Sequence, residues 1–304
     1  MNSLTSNRWW TYQSERFPIL AHGPLVIVFV LSVMLFSSLQ QNEIPDLYRI
    51  VGAAISALIF FLQLRIADEH KDFDDDARWR PHRAVPRGLV SLPELARLAI
   101  AGAVIQFLIA ITIDIGLVPI LFGVWLFIGL MTVEFFASSW LKRIPSVYLV
   151  SHMLVMPLIA FYVSAFDWLC ECREMPGGLA SVMALAFFCG LVLEIGRKIR
   201  PPAEERQGVE TYSGAWGYGR SLLIWVLTIA LSVSAYQFAL GHVGAGAVPS
   251  LAGVSAIVVA VVIAVLFPRT RKNQPGHRTF IEAGSGLVAM VLYLGLGPIQ
   301  WLLA

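Results

Sequence analysis

Nine stretches of about 17–24 predominantly apolar residues recur along this chain, near 18–39, 47–66, 95–113, 117–137, 146–166, 179–196, 218–241, 249–267 and 282–302. Each is close to the length that crosses a hydrocarbon layer of about 30 Å at 1.5 Å of helix rise per residue. Such segments cannot all hide inside a soluble core. The chain is also 57% hydrophobic and only 14% charged over 304 residues, which excludes a soluble globular or nucleic-acid-binding protein. The expected fold is therefore all-α: a polytopic membrane protein with nine transmembrane helices in one bundle and a single domain over residues 1–304.

The basic residues orient the bundle. Of the 22 Lys and Arg, all but Arg49 and Arg173 fall on the side of the N-terminus once nine spans are counted. The positive-inside rule makes that side cytoplasmic, and nine spans leave the C-terminus on the other. A missed or invented helix would scramble the alternation. The polar leader, residues 1–17, carries Trp9, Trp10 and Tyr12, which suit a membrane interface, and the apolar run after it is too long for a signal-peptide core, so no cleaved signal is expected. Cys170 and Cys172 are too close in sequence for a good disulfide, two thiols make no zinc site, and Cys189 reads as a small buried hydrophobe. The two longest polar loops, near 67–94 and 197–217, are four spans apart. They are expected to form one cytoplasmic cap, and their spacing hints at a repeated four-helix unit.

The first of these loops opens with Asp68, Glu69, Asp72 and Asp76, a D-E-x-x-D-x-x-x-D ladder at a membrane edge. Even on a lenient scale an Asp at the bilayer centre costs roughly 2.5–3.5 kcal/mol, so the ladder belongs at the edge. If the helix of residues 47–66 continues, Asp68, Asp72 and Asp76 share one face at i, i+4 and i+8. Like charges at that spacing repel, and a hard divalent cation such as Mg²⁺, held by carboxylates together with substrate phosphates, would relieve them. Arg78, Arg80, Arg83 and Arg87 follow, and guanidinium forks match phosphate oxygens. The segment reads as a cation and phosphate site.

In the second loop, Glu194 lies at the end of an apolar span, where it can pair with Lys198 at i+4 or serve as a second cation ligand. Helix six should stop before Pro201 and Pro202. Glu134 is unexpected in an apolar run, whereas Tyr148 and His152 read as packed or hydrogen-bonded groups in span five.

The ladder, followed by Arg80-Pro81-His82-Arg83-Ala84-Val85-Pro86-Arg87-Gly88, resembles the first motif of the UbiA superfamily of intramembrane prenyltransferases, N-D-x-x-D-x-x-x-D with a following R-P-x-P-S-G. The resemblance implies that Asp68, Asp72 and Asp76 hold Mg²⁺ that bridges an isoprenoid diphosphate, with Arg83, Arg87 and Lys142 near the phosphates. Asp68 stands where the family has Asn, Glu69 where it has Asp, and Arg87 where it has Ser. The family's second aspartate motif is absent. Aligning Gly208 to Tyr212 with its G-x-x-T segment puts Arg197 and Arg200 where carboxylates are expected and leaves only Glu204 as an acid, with Glu194 the nearest other candidate metal ligand. Arg197, Lys198 and Arg200 are then expected to neutralise diphosphate directly.

The implied activity is Mg²⁺-dependent transfer of an isoprenoid chain from its diphosphate to a lipophilic or aromatic acceptor within the membrane. The physics agrees, since cations stabilise the leaving group of an ionising allylic diphosphate. A terpene cyclase of the same fold, acting without acceptor, is the alternative. A cation transporter is the third reading, disfavoured because transport sites sit near the bilayer midplane.

Overall fold

A computed structural model describes residues 7–41, 43, 45–171, 174–206, 208–244, 251, 253–258, 262 and 277–303 of the chain. Among them there are helices and no strand. A short helix α1 (Arg8–Arg16) precedes α2 (Ile19–Leu39), α3 (Leu47–Lys71), α4 (Phe73–Trp79), α5 (Leu92–Ile113) and α6 (Leu117–Thr132). There follow α7 (Ser138–Leu141), α8 (Pro145–Met153), α9 (Val155–Trp168), α10 (Leu179–Arg197), α11 (Tyr212–Trp216), α12 (Tyr218–Leu240), α13 (His277–Leu296) and α14 (Pro298–Leu303).

Seven helical segments among the described residues are long and apolar enough to cross a membrane, counting α8 with α9 and α13 with α14 as one each. Helix α6 is the exception. Its 16 residues reach roughly 24 Å, short of the hydrocarbon thickness, because the expected span of 117–137 ends at Thr132 in an unusual turn. The expected span 249–267 lies largely outside the described residues, as do Arg173, Cys172 and the basic run from Arg269 to Lys272.

Local chemistry explains the other boundaries. Span five is interrupted at Leu154 because Pro157 cannot donate to the Met153 carbonyl and its ring crowds that oxygen. Helix α5 starts at a capping box, with the Glu94 carboxylate accepting from the Ser91 backbone at 2.9 Å. Between α13 and α14, Gly297 crosses α2 so closely that a Cβ there would stand 2.6 Å from the Cα of Ser32.

Helix α10 packs along α12, α9 and α13, while α2 lies against α9, α13 and α3, and α3 against α5. Their shared core includes Phe36, Phe60, Tyr162, Phe166, Trp225 and Tyr236, all fully buried. A smaller apolar cluster sits outside it. There Tyr12 of α1 is buried with Ile66, Ala84, Val85, Val90 and Leu95, so the leader helix packs on the first polar loop and its aromatics divide between that cluster and the surface, where Trp10 is 60% exposed. Cys170 and Cys189 are free thiols.

Candidate active site

Helix α3 carries the ladder out of the apolar region. It runs to Lys71, five residues past the expected span, and thereby holds Asp68 and Glu69 in its last turn. Asp72 then breaks the helix with φ −94° and ψ 8°, and α4 resumes at Phe73. The spacing of four survives the break, because Asp72 N–H donates to the Asp68 carbonyl (2.9 Å), Asp76 N–H to that of Asp72 (2.8 Å) and Arg80 N–H to that of Asp76 (2.8 Å).

The four acids are nevertheless in different situations. Glu69 and Asp76 are each 2% exposed. Glu69 accepts from Arg16 Nε at 2.5 Å and from Arg65 Nη2 at 2.8 Å. Asp76 takes both oxygens to Arg83 Nη1 (2.9 and 2.6 Å), with Arg80 Nε at 3.0 Å and Arg16 Nη2 at 3.7 Å. Burial pulls the Arg83 guanidinium below its usual range, and Asp76 opposes that effect. Asp68 is open by comparison, its side chain 32% exposed, with Lys71 at 3.6 Å and Arg65 at 3.8 Å. Burial raises the Asp72 carboxyl above the usual carboxylate range; the charges of Asp68 and Asp76 add to this, while Lys71 and Lys198 counter it. Asp68 and the partly buried Asp72, two carboxylates in tension, fit a divalent cation. Asp76 fits one only if Arg83 lets go. Among the described residues no three acidic, His or Cys groups form a ready-made metal cluster.

The second polar loop folds against the first. Gly208 has φ +72°, and a Cβ on it would meet the Trp79 indole at 2.2 Å, so only glycine lets this loop lie on the end of α4. The loop is braced from within: Thr211 and Ser213 hydroxyls donate to Glu205 at 2.8 and 2.7 Å, and Arg200 N–H donates to Ser213 Oγ at 2.8 Å. Glu194 is held by Arg197 and by Lys198, the latter at 3.0 Å, so the pairing with Lys198 is present and Arg197 joins it. As a metal ligand Glu194 would have to surrender both cations. Glu204 lies on a single 3-10 turn, Pro202–Glu204, and its Oε1 is buried with no hydrogen-bond partner among the described residues. Burial and the Glu194 charge keep the Tyr212 phenol protonated, and its ring stacks on Trp216 at 4.6 Å.

The second loop and the start of α8 enclose a cavity of about 390 Å³ whose walls include Lys142, Tyr148, Lys198, Arg206, Glu210 and Tyr212. Lys198 also stands over the Tyr212 ring at 5.6 Å. The ladder borders this space through Lys71, whose Nζ donates to the Tyr148 hydroxyl at 2.5 Å and lies 3.6 Å from Asp68. Lys142 is half exposed, 3.7 Å from Glu134. Arg87 turns away from the cavity, bound to Glu15 of α1 at 2.8 and 3.0 Å and to the His82 carbonyl. The structure thus brings Asp68, Asp72, Lys142, Arg197 and Lys198 to one region and leaves Arg87 at its rim.

The sequence matches the UbiA prenyltransferase family over residues 27–294, most of the chain. The chain belongs to that family. Solved UbiA structures share the fold. A UbiA homolog from Aeropyrum pernix K1, in its apo form, superposes with TM-score 0.68 at 14% identity, covering 89% of this chain and 96% of that one. A digeranylgeranylglyceryl phosphate synthase gives 0.62 at 12% identity, covering 95% and 98%. A UbiA homolog from Archaeoglobus fulgidus bound to DMAPP and Mg²⁺ gives 0.52 at 13%, covering 91% and 99%. No curated protein sequence matches the chain. Within this UbiA fold, sequence reading overlooked Arg16, Arg65, Lys71 and Glu205. Arg16 lies 53 residues from the Glu69 it binds, and no periodicity links two such positions.

Proposed function

We propose that this UbiA protein is a Mg²⁺-dependent prenyltransferase that moves an isoprenoid chain from its diphosphate to a lipophilic acceptor, an aromatic one being the first class to test. The observation that carries the reading is the meeting of ladder carboxylates with a cluster of cations beside one cavity: Asp68 lies 3.6 Å from Lys71, Lys71 binds the Tyr148 hydroxyl of the cavity wall, and Lys142 and Lys198 line the same cavity. Relatives bound to DMAPP or GPP with Mg²⁺ support the same chemistry. In this reading nine helices cross the bilayer and the two loops cap the bundle on the cytoplasmic side.

Asp68 and Asp72 are the residues to hold Mg²⁺, with Asp76 joining once Arg83 turns to the substrate. The bound ion would offset charge on the departing diphosphate. Lys198, Arg197 and Lys142 bind the diphosphate oxygens, and Arg200 backs the loop that carries them. Glu194 orients Arg197 and Lys198 toward that task. Glu204 is the remaining acid on this loop for a second cation. Tyr212 and Trp216 close the polar end of the cavity against water, which protects an allylic cation from capture.

The test is incubation of protein in lipid nanodiscs with C5 to C20 isoprenoid diphosphates, with Mg²⁺ or EDTA and with or without aromatic acceptors. Mg²⁺-dependent, acceptor-dependent product is expected. A hydrocarbon formed equally well without acceptor would reassign the protein as a cyclase, and no consumption of any diphosphate would overturn the reading.

A further inference from the structure

We propose that His152 is the proton acceptor for the prenyl acceptor, with Glu134 as its partner; this deepens the prenyl-transfer reading and rests on it. Whatever nucleophile attacks an allylic carbon must lose a proton, and the cations around the cavity cannot take one. Of the bases there, Glu205 is engaged by Thr211 and Ser213, Glu210 sits on the polar loop, and His152 stacks behind the wall residue Tyr148. His152 can take that proton.

The imidazole is 5% exposed, and its Nδ1 lies 2.8 Å from the Tyr148 carbonyl oxygen. A carbonyl only accepts, so Nδ1 carries the hydrogen and Nε2 the lone pair. That Nε2 is buried and has no hydrogen-bond partner among the described residues. A buried acceptor left unmet is costly, and such groups are the exception in folded proteins. The ring cannot swing away to find water. Tyr148 stacks on it at 3.9 Å with an interplanar angle of 17°, and Phe135 meets it edge-on at 5.9 Å.

Glu134 presents the same oddity from the neighbouring element. It is 4% exposed, its Oε1 has no hydrogen-bond partner among the described residues, and Lys142 at 3.7 Å is too far to supply one. The backbone reaches this arrangement through three consecutive left-handed residues that are not glycine, Glu134 (φ 50°), Phe135 (φ 52°) and Phe136 (φ 57°). Each is strained, and strain of this kind persists where surrounding structure enforces it, often at functional sites. The turn ends α6, buries Glu134 and sets Phe135 against His152. The charged groups whose fields reach the imidazole are Lys71 and Asp68 from α3 and Glu134 from the turn.

Two buried acceptors, linked through the Phe135 ring that meets His152 and with no hydrogen-bond donor among the described residues, call for a ligand that brings hydrogen, and a phenol or alcohol does so. In the transfer step the acceptor O–H bond breaks, its proton goes to His152 Nε2, and the oxygen's electron pair forms the bond to the allylic carbon. The bond from that carbon to diphosphate breaks, and its electron pair leaves with the diphosphate. For attack from a ring carbon, the proton leaves that carbon after the new bond forms. In both cases the Tyr148 carbonyl and the Glu134 carboxylate offset part of what burial and the Lys71 charge take from the imidazolium.

The test measures prenylated acceptor and prenyl alcohol together, for wild type, His152→Ala, His152→Gln and Glu134→Gln. In His152→Ala the kcat for transfer should fall about 100-fold or more while KM for the diphosphate stays within about twofold. The released prenyl cation should then be captured by water, shifting product toward the alcohol, and added imidazole should restore transfer in His152→Ala alone. His152→Gln fills the same space and guards against simple unfolding; full transfer by that variant overturns the assignment. So does loss of transfer and alcohol in equal proportion, which marks a structural role. Wild-type inactivity on every diphosphate overturns the parent reading instead, whereas an active wild type with an unimpaired His152→Ala overturns only the role of His152.

Discussion

Asp72 is where the ladder stores electrostatic tension, and its titration makes that measurable. A carboxyl whose folded pKa is raised stabilises the fold while protonated and costs stability as the pH climbs through its range. A cation bound beside Asp68 offsets that cost. Mg²⁺ should therefore raise the unfolding temperature at about pH 7.5, with the shift fading as the pH falls toward about 4. Asp72→Asn should gain about 0.2–0.5 kcal/mol of metal-free stability by removing a like-charge neighbour and should lose most of the Mg²⁺ shift. Thermal unfolding in detergent reads both effects, and an undiminished shift in the variant removes Asp72 from the cation site. Arg16 is the counterpart on the closed side of the ladder. Its side chain is 9% exposed beside Glu69 at 1%, and among the described residues Arg65 is the only other cation hydrogen-bonded to that carboxylate. Arg16→Gln should cost roughly 1–3 kcal/mol, and Glu69→Gln in the same protein should recover part of it, as a double-mutant cycle would show.

At the scale of elements, the ladder was legible as chemistry but not as geometry. Its spacing marks Asp68, Asp72 and Asp76 as one series, and the hydrogen bonds keep that register through the break at Asp72. Which acids stay open depends on Arg16, Arg80 and Arg83, and long-range pairing of that kind leaves no local pattern. The premature end of α6 was hidden for a related reason: Glu134, Phe135 and Phe136 have no turn-forming chemistry, so nothing in their composition announces left-handed backbone. That gives a clean prediction. Phe136 is 84% exposed and has no packing role to lose, so Phe136→Gly should relieve strain and stabilise by up to about 1 kcal/mol, whereas Phe136→Val should destabilise. Chemical denaturation of the two variants decides it, and the opposite order would show that the turn is unstrained.

For the whole molecule, apolar run length was a sound guide to the bundle, because burial in lipid acts on every residue of a span. It located α2, α3, α5, α10 and α12 to within a few residues at most ends. Contacts between distant helices were out of its reach. Gly297 is one, a residue of no evident pattern whose missing side chain admits the Ser32 backbone. Gly297→Ala should push α14 off α2 and cost about 1–3 kcal/mol in unfolding measurements. The arginines that cage Glu69 and Asp76 have a consequence for kinetics. With those two carboxylates already neutralised, the ladder does not present four bare negative charges to an incoming anion. A diphosphate approaching the cap meets a field shaped by Lys142, Arg197 and Lys198, so its association rate should be fast at low ionic strength and fall steeply as salt screens those charges over about 10 Å at 0.1 M.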